Sequence, residues 1–169
     1  GLLPGQSQPT QKGFDTLVWN ALRRFDAQRV VYVESESKKV GNVAVPDSLI
    51  QAMRGSECLS LALPMGERVK LLMQDYDFFV QDTAFFCERL DTLVQVRGGD
   101  VVRHWKELAQ AGRTAEVVED LLVRHYDPTY LQSMQRNFVQ YPQAPQVTAR
   151  DHSHEAMREL AREILAKAA

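Results

Sequence analysis

Two short apolar runs constrain this chain more than anything else in it. The first is Val30-Val31-Tyr32-Val33, and the second covers residues 58–63, Cys-Leu-Ser-Leu-Ala-Leu, stopped by Pro64. A strand with one wet face alternates apolar and polar residues, so continuous runs of this kind predict strands buried on both faces. Between them Pro46-Asp47 opens a helix that ends near Gly55 and turns Leu49, Ile50 and Met53 inward. Strand, helix and strand in that order form a βαβ unit, and a crossover of this kind makes the two strands parallel. The expected class is therefore α/β, with a parallel sheet that has only two to three strands in this chain. A free-standing sheet of this type normally has more, so the missing strands are expected ahead of Gly1.

The rest of the chain has helical spacing. Phe14, Leu17, Val18, Ala21, Leu22 and Phe25 mark one core-facing stripe before the first run. After Pro64 the stripes are Val69-Leu72-Met73-Tyr76, then Phe85, Phe86, Leu90, Leu93 and Val94 up to Gly98-Gly99. Val101, Trp105, Leu108 and Ala109 follow up to Gly112, then Val117, Val118, Leu121 and Leu122 up to a break at Asp127-Pro128. A short helix is expected from Thr129, an extended piece at residues 138–141, a linker at 142–145 and a last helix over 153–167. Three regions result: a partial α/β domain at 1–64, a helical region at 65–141, and a linker with a C-terminal helix at 142–169. The opening stretch Pro4-Gly5-Gln6-Ser7-Gln8-Pro9 reads as an edge inside a longer polypeptide.

The formal net charge is −2, so bulk charge announces no nucleic-acid partner, although a local basic patch remains compatible with it. No apolar run is long enough to cross a membrane. Cys58 and Cys87 make no metal-ligand spacing and fit a reducing cytoplasm.

The chemistry-bearing residues cluster behind the first run. Glu34 and Glu36 share one face of an extended segment and Ser35 and Ser37 the other, with Lys38 and Lys39 close by. A carboxylate at the mouth of a parallel sheet is placed to hold Mg²⁺ through water, and the bland alternative is a polar strand exit. No G-x-x-x-x-G-K-[ST] or G-x-G-x-x-G occurs, so the phosphate cradle is absent from this chain. Arg68, just past the second run, suits bidentate contact with a phosphate or an ion pair with Glu67. His152-x-His154 has no third ligand nearby and reads as a helix start. Trp105 lies on an apolar stripe and suits a core better than a stacking platform. Arg97, Arg103, Lys106 and Arg113 suit an RNA-backbone track but are diluted by neighbouring acids.

Three segments resemble the tRNA 2-selenouridine synthase family. They are Gln8-Pro9-Thr10-Gln11-Lys12 with Phe14, then Val33-Glu34-Ser35-Glu36-Ser37-Lys38-Lys39-Val40-Gly41 continuing to Pro46, then His125-Tyr126-Asp127-Pro128-Thr129-Tyr130. The middle segment is the distinctive one, and the likeness covers most of residues 5–141. The resemblance implies a P-loop-type sheet, and a rhodanese-like domain with the catalytic cysteine outside this chain. It implies an enzyme that replaces the sulfur of wobble 2-thiouridine in tRNA by selenium, with selenophosphate and geranyl diphosphate as substrates and a geranylated intermediate. No catalytic residue is assigned here, and neither Cys58 nor Cys87 inherits that role. Gln11, Lys12, Glu34, Ser35, Glu36, Ser37, Lys38, Lys39 and Arg68 become the candidates for phosphate, nucleotide or tRNA contact, with Mg²⁺ at Glu34 or Glu36. The partners implied are tRNA and the rhodanese-like domain, with pairing of two copies through an exposed sheet edge. Two other readings remain open: a non-catalytic tRNA-binding helical module, and a piece of another P-loop kinase or ATPase.

Overall fold

The computed structural model describes residues 7–35 and 38–167. Glu36 and Ser37 therefore lie outside the described residues. Helix α1 (Gln11–Leu22) starts on Thr10, whose hydroxyl oxygen accepts from the Gly13 backbone N–H. A small hairpin follows, β1 (Lys39–Val40) against β2 (Val43–Ala44), turning on Gly41-Asn42. Gly41 has φ +60°, and a Cβ there would strike the Gln8 side chain, so both the turn and the close approach require glycine. Gln8 and Gln11 act as a stand-in strand. The Gln8 side-chain amide bonds the Val40 carbonyl and the Asn42 N–H, and that of Gln11 bonds the Ala44 carbonyl and N–H.

Helix α2 (Asp47–Gly55) leads to β3 (Ser60–Ala62), which enters α3 (Met65–Asp75) through Pro64. The crossover helix and second strand thus form where the sequence places them. The parallel sheet is present as well: β3 pairs in parallel with β4 (Gln146–Thr148), with Ser60 opposite Gln146 and Ala62 opposite Thr148. Strand β4 falls just after the stretch read as a linker. A 3₁₀ turn (Tyr141–Gln143) occupies part of that stretch.

The 30–33 run departs from expectation. It forms no strand and joins no ladder among the described residues, and its four residues are 42–62% exposed. An apolar run becomes a buried strand only when strands flank it and helices cover it. The described residues supply neither.

The helical region comprises α4 (Asp77–Gln81), α5 (Thr83–Asp91), α6 (Val94–Arg97), α7 (Gly99–Gln110), α8 (Thr114–Leu121) and α9 (Asp127–Asn137), with α10 (His154–Lys167) last. The core is here, built by Phe86, Cys87 and Leu90 of α5, Val102, Trp105 and Ala109 of α7, and Val117 and Leu121 of α8. Trp105 is fully buried, and its indole N–H donates to Asp120 Oδ2 at 2.7 Å. Cys87 is a core thiol.

Asp127-Pro128 does not break the chain into a loop. A π-helical turn (Leu122–Tyr126) carries α8 straight into α9. The Asp127 N–H reaches back to the Leu122 carbonyl, and Pro128, which has no N–H to give, occupies the first turn of α9. Among the described residues no helix is long and apolar enough to cross a membrane.

Candidate functional site

Strand β3 delivers the chain to the N-terminus of α3 after only two residues, which puts Arg68 in the first turn of that helix. Asp127 leaves the π-helical turn in the first turn of α9. The two meet as a bidentate pair: Arg68 Nη1 donates to Asp127 Oδ2 at 2.8 Å and Nη2 to Oδ1 at 2.5 Å. The guanidinium holds the Asp127 carboxyl below the usual carboxylate range, and the carboxylate in turn raises Arg68. Both side chains keep about a third of their surface in water, 32% for Arg68 and 40% for Asp127. The pair is therefore reachable by a competing anion.

The pair faces a cleft of about 1160 Å³. Its floor is apolar, with Leu72, Met73, Phe79 and Phe86 on one side and Val118, Leu121 and Leu122 on the other. Tyr76, Tyr126 and Tyr130 stand at its walls, each about half exposed. Leu61, Ala62 and Leu63 bring the C-terminal end of β3 to the cleft, and Glu34 brings the end of the 30–33 run. A crevice outside the carboxyl ends of parallel strands is where open α/β sheets bind ligands.

Of the residues singled out from sequence, Glu34 and Arg68 are brought to this cleft. Ser35 lies next to it, with its hydroxyl 3.5 Å from the sulfur of Met134, a cleft-lining residue. Lys38 is drawn elsewhere, to Asp47 at 2.5 Å at the start of α2, and it lowers that carboxyl. Lys39 sits in β1 of the hairpin, and Lys12 is exposed on α1. The Gln11 side chain is engaged by the Ala44 backbone and by Asp15 at 2.7 Å. Arg103, Lys106 and Arg113 each pair with an acid, respectively Asp100, Asp91 and Glu116, so the helical region presents no continuous basic track there. Arg97 donates from Nε to His125 Nδ1 at 3.0 Å, which fixes that histidine's proton on Nε2. Burial, and then the Arg97 charge, lower the His125 pKa. His152 binds Glu67 at 2.5 Å through Nδ1. Among the described residues no group of three or more His, Cys, Asp or Glu could hold a metal.

Sequence reasoning overlooked Asp127 and the tyrosines as members of a site. Asp127 lies 59 residues from Arg68, and the π-helical turn that aims it has no signature in composition. The one visible signal was the run His125-Tyr126-Asp127-Pro128-Thr129-Tyr130, which holds Tyr126, Tyr130 and Asp127 together.

Residues 3–97, more than half of the chain, match the model of the family described as tRNA 2-selenouridine synthase AAA domain. The chain belongs to that family. Glu34 and Arg68 fall inside the matched residues, whereas Asp127 and the π-helical turn lie beyond them. Among curated proteins, the tRNA 2-selenouridine synthase of Hydrogenovibrio crunogenus (strain DSM 25203 / XCL-2) is 29% identical over 150 residues, covering 76% of this chain and 42% of that protein. The synthase of Aeromonas salmonicida (strain A449) is 26% identical over 159 residues, covering 78% of this chain and 43% of that protein. The chain thus spans less than half the length of the curated relatives it matches. No solved structure matches it.

Proposed function

We propose that this chain is the phosphate- and tRNA-handling part of a cytoplasmic enzyme that replaces the sulfur of wobble 2-thiouridine in tRNA by selenium. In this reading selenophosphate supplies the selenium, geranyl diphosphate supplies a prenyl group, and the route passes through a geranylated intermediate. The observation that carries the reading is the Arg68–Asp127 pair facing an apolar, tyrosine-walled cleft at the strand ends. The guanidinium fork that donates to the Asp127 carboxylate suits two oxygens of a phosphate equally well. An arriving phosphate group would compete with Asp127 for Arg68. The apolar floor suits a hydrocarbon chain, and the tyrosines suit stacking against a base out of its helix.

Glu34 and Ser35 act at the cleft in this reading. Gln11, Lys12, Lys38 and Lys39, with Ser37, are assigned to contacts with tRNA phosphates on the approach, and Glu36, which only accepts, to a hydroxyl or amino group of the tRNA. Glu34 and the Arg68-bound Asp127 are the carboxylates at the cleft among the described residues, and Mg²⁺ is given no step. Neither Cys58 nor Cys87 lines the cleft, and the nucleophile is assigned to the rhodanese-like partner domain.

The test is formation of 2-selenouridine in tRNA by the full-length protein with selenophosphate supplied, read by mass spectrometry of digested tRNA. Arg68→Ala is expected to lower turnover by about tenfold or more, the loss of roughly 1.4 kcal/mol or more of charge-assisted bonding. Arg68→Lys, which keeps the charge but loses the fork, should recover only part of it. Wild-type rates in both variants would remove Arg68 from the site.

A further inference from the structure

We propose that the outer face of α1, from Lys12 through Trp19 to Arg23, forms an RNA-contact surface with Arg24 and Arg29 just beyond the helix. No residue of α1 lines the Arg68 cleft, so this surface is a separate one. The inference rests on the reading of tRNA as the substrate and gives that substrate a second place to be held.

The face follows from helix geometry. Residues 12, 16, 19 and 23 are spaced i, i+4, i+7 and i+11, so they form one stripe along α1 and its C-cap Arg23. The apolar stripe of the same helix, Phe14, Leu17, Val18, Ala21, Leu22 and Phe25, lies on the opposite side. Trp19 is therefore placed among Lys12, Thr16 and Arg23, apart from the other large apolar residues of α1. An indole meant for a core belongs on the apolar stripe, as Trp105 does on its own helix. Trp19 is 60% exposed, and the Arg23 guanidinium lies over its ring, 4.9 Å from the centroid. Cover laid over the apolar stripe would leave this opposite face open.

The charges there are not neutralised within the chain. Residues 12–29 hold four cations, Lys12, Arg23, Arg24 and Arg29, against Asp15 and Asp26, although the net charge of the chain is −2. All four cations are exposed, and among the described residues none pairs with an acid, whereas Arg103, Lys106 and Arg113 each do. Asp15 accepts instead from Gln11 Nε2 at 2.7 Å, and Asp26 from the Gln28 backbone N–H at 2.9 Å. The helix dipole favours cations at the end of α1, but it gives no reason for an exposed indole or for Arg29 beyond the last turn.

The partner's chemistry follows. A flat indole with a guanidinium stacked on it offers a platform for an unpaired base, and the flanking arginines match phosphates in charge and geometry. A lipid surface fits less well, because a helix lying on a bilayer carries its Trp on the apolar face.

Trp19 and Trp105 are the two tryptophans of the chain, one exposed and one fully buried, so fluorescence reads this surface directly. The probe is a tRNA transcript with uridine at the wobble position, titrated into this chain at low salt. Trp105 emission and circular dichroism serve as controls for folding. Trp19 emission should be quenched as tRNA binds, and Trp19→Ala should weaken binding about tenfold. Replacing Arg23, Arg24 and Arg29 together by Gln should reduce the slope of log affinity against log salt by about two, the counterions of three phosphate contacts. These results support the surface even if the full-length protein makes no 2-selenouridine, because binding is read without turnover. Binding of tRNA with Trp19 emission and the salt slope unmoved would overturn the surface and leave the cleft reading standing. No binding of tRNA at low salt would overturn both. Quenching by phosphatidylglycerol vesicles and not by tRNA would overturn it in favour of a membrane.

Discussion

Arg68 and Trp105 show how one side chain can be set by a partner far away in sequence. Arg68 begins α3 and could have paired with its neighbour Glu67, but Glu67 is held by Lys70 and His152 instead. The Arg68 fork is left for Asp127. Trp105 packs inside the helical core with no exposed surface while its N–H reaches Asp120, which also accepts from Arg124 Nε at 2.6 Å. Trp105→Ala should cost about 3–5 kcal/mol of stability, the range for emptying a buried aromatic site. Trp105→Phe keeps most of the apolar contact and loses the bond to Asp120, so its cost should fall near 1–2 kcal/mol. Urea unfolding of the two variants separates these terms. Equal costs would show that packing is not the larger part. The burial of Trp105 was legible from its place on an apolar stripe. Its bond to Asp120 was not, because helix phase decides which acid lies within reach.

At the scale of elements, side chains rather than ladders join several pieces. Gln8 and Gln11 dock the start of α1 on the β1–β2 hairpin, and Arg54 Nη2 ties the end of α2 to Asn137 Oδ1 at the end of α9. Glu67 ties α3 to residue 152, just ahead of α10. Hydrogen bonds from Lys70 and then His152 pull the Glu67 carboxyl from its ordinary 4.5 down to about 2. A carboxyl depressed in the folded state favours folding above its unfolded value, and the contribution disappears as pH falls through the folded one. Stability should therefore decline between pH 4.5 and about 2 through this group. Glu67→Gln should flatten that part of the profile, as read by denaturation at fixed pH steps. An unchanged slope would remove Glu67 as its source. The helices themselves were largely readable, since apolar stripes and Gly punctuation bound α5 and α7 closely. Strand β4 was not, because Gln-Val-Thr after two prolines carries no strand pattern and becomes a strand only by lying against β3.

Across the whole molecule, burial is uneven. Helices α5, α7 and α8 enclose a dry core, while α1 and the 30–33 run leave most of their apolar side chains in water. A surface of this kind promotes association, and a net charge of only −2 opposes it weakly. The isolated chain should self-associate with rising concentration and bind an apolar dye. Sedimentation showing a compact monomer throughout would count against that expectation. The sequence by itself determined the crossover helix, the second strand, the helical stripes and the kinship carried by Glu34 to Gly41, because each rests on residues close together in the chain. Only the tertiary structure decided that Asp127 holds Arg68, that tyrosines wall the cleft and that β4 completes a parallel pair. The Arg68–Asp127 pair and the β3–β4 ladder join residues 59 or more positions apart, and their geometry follows from packing, which no local pattern records. The 30–33 run lies between the two cases. Its strand propensity is intrinsic to four β-forming residues, but its pairing and burial depend on neighbours that the described residues do not provide.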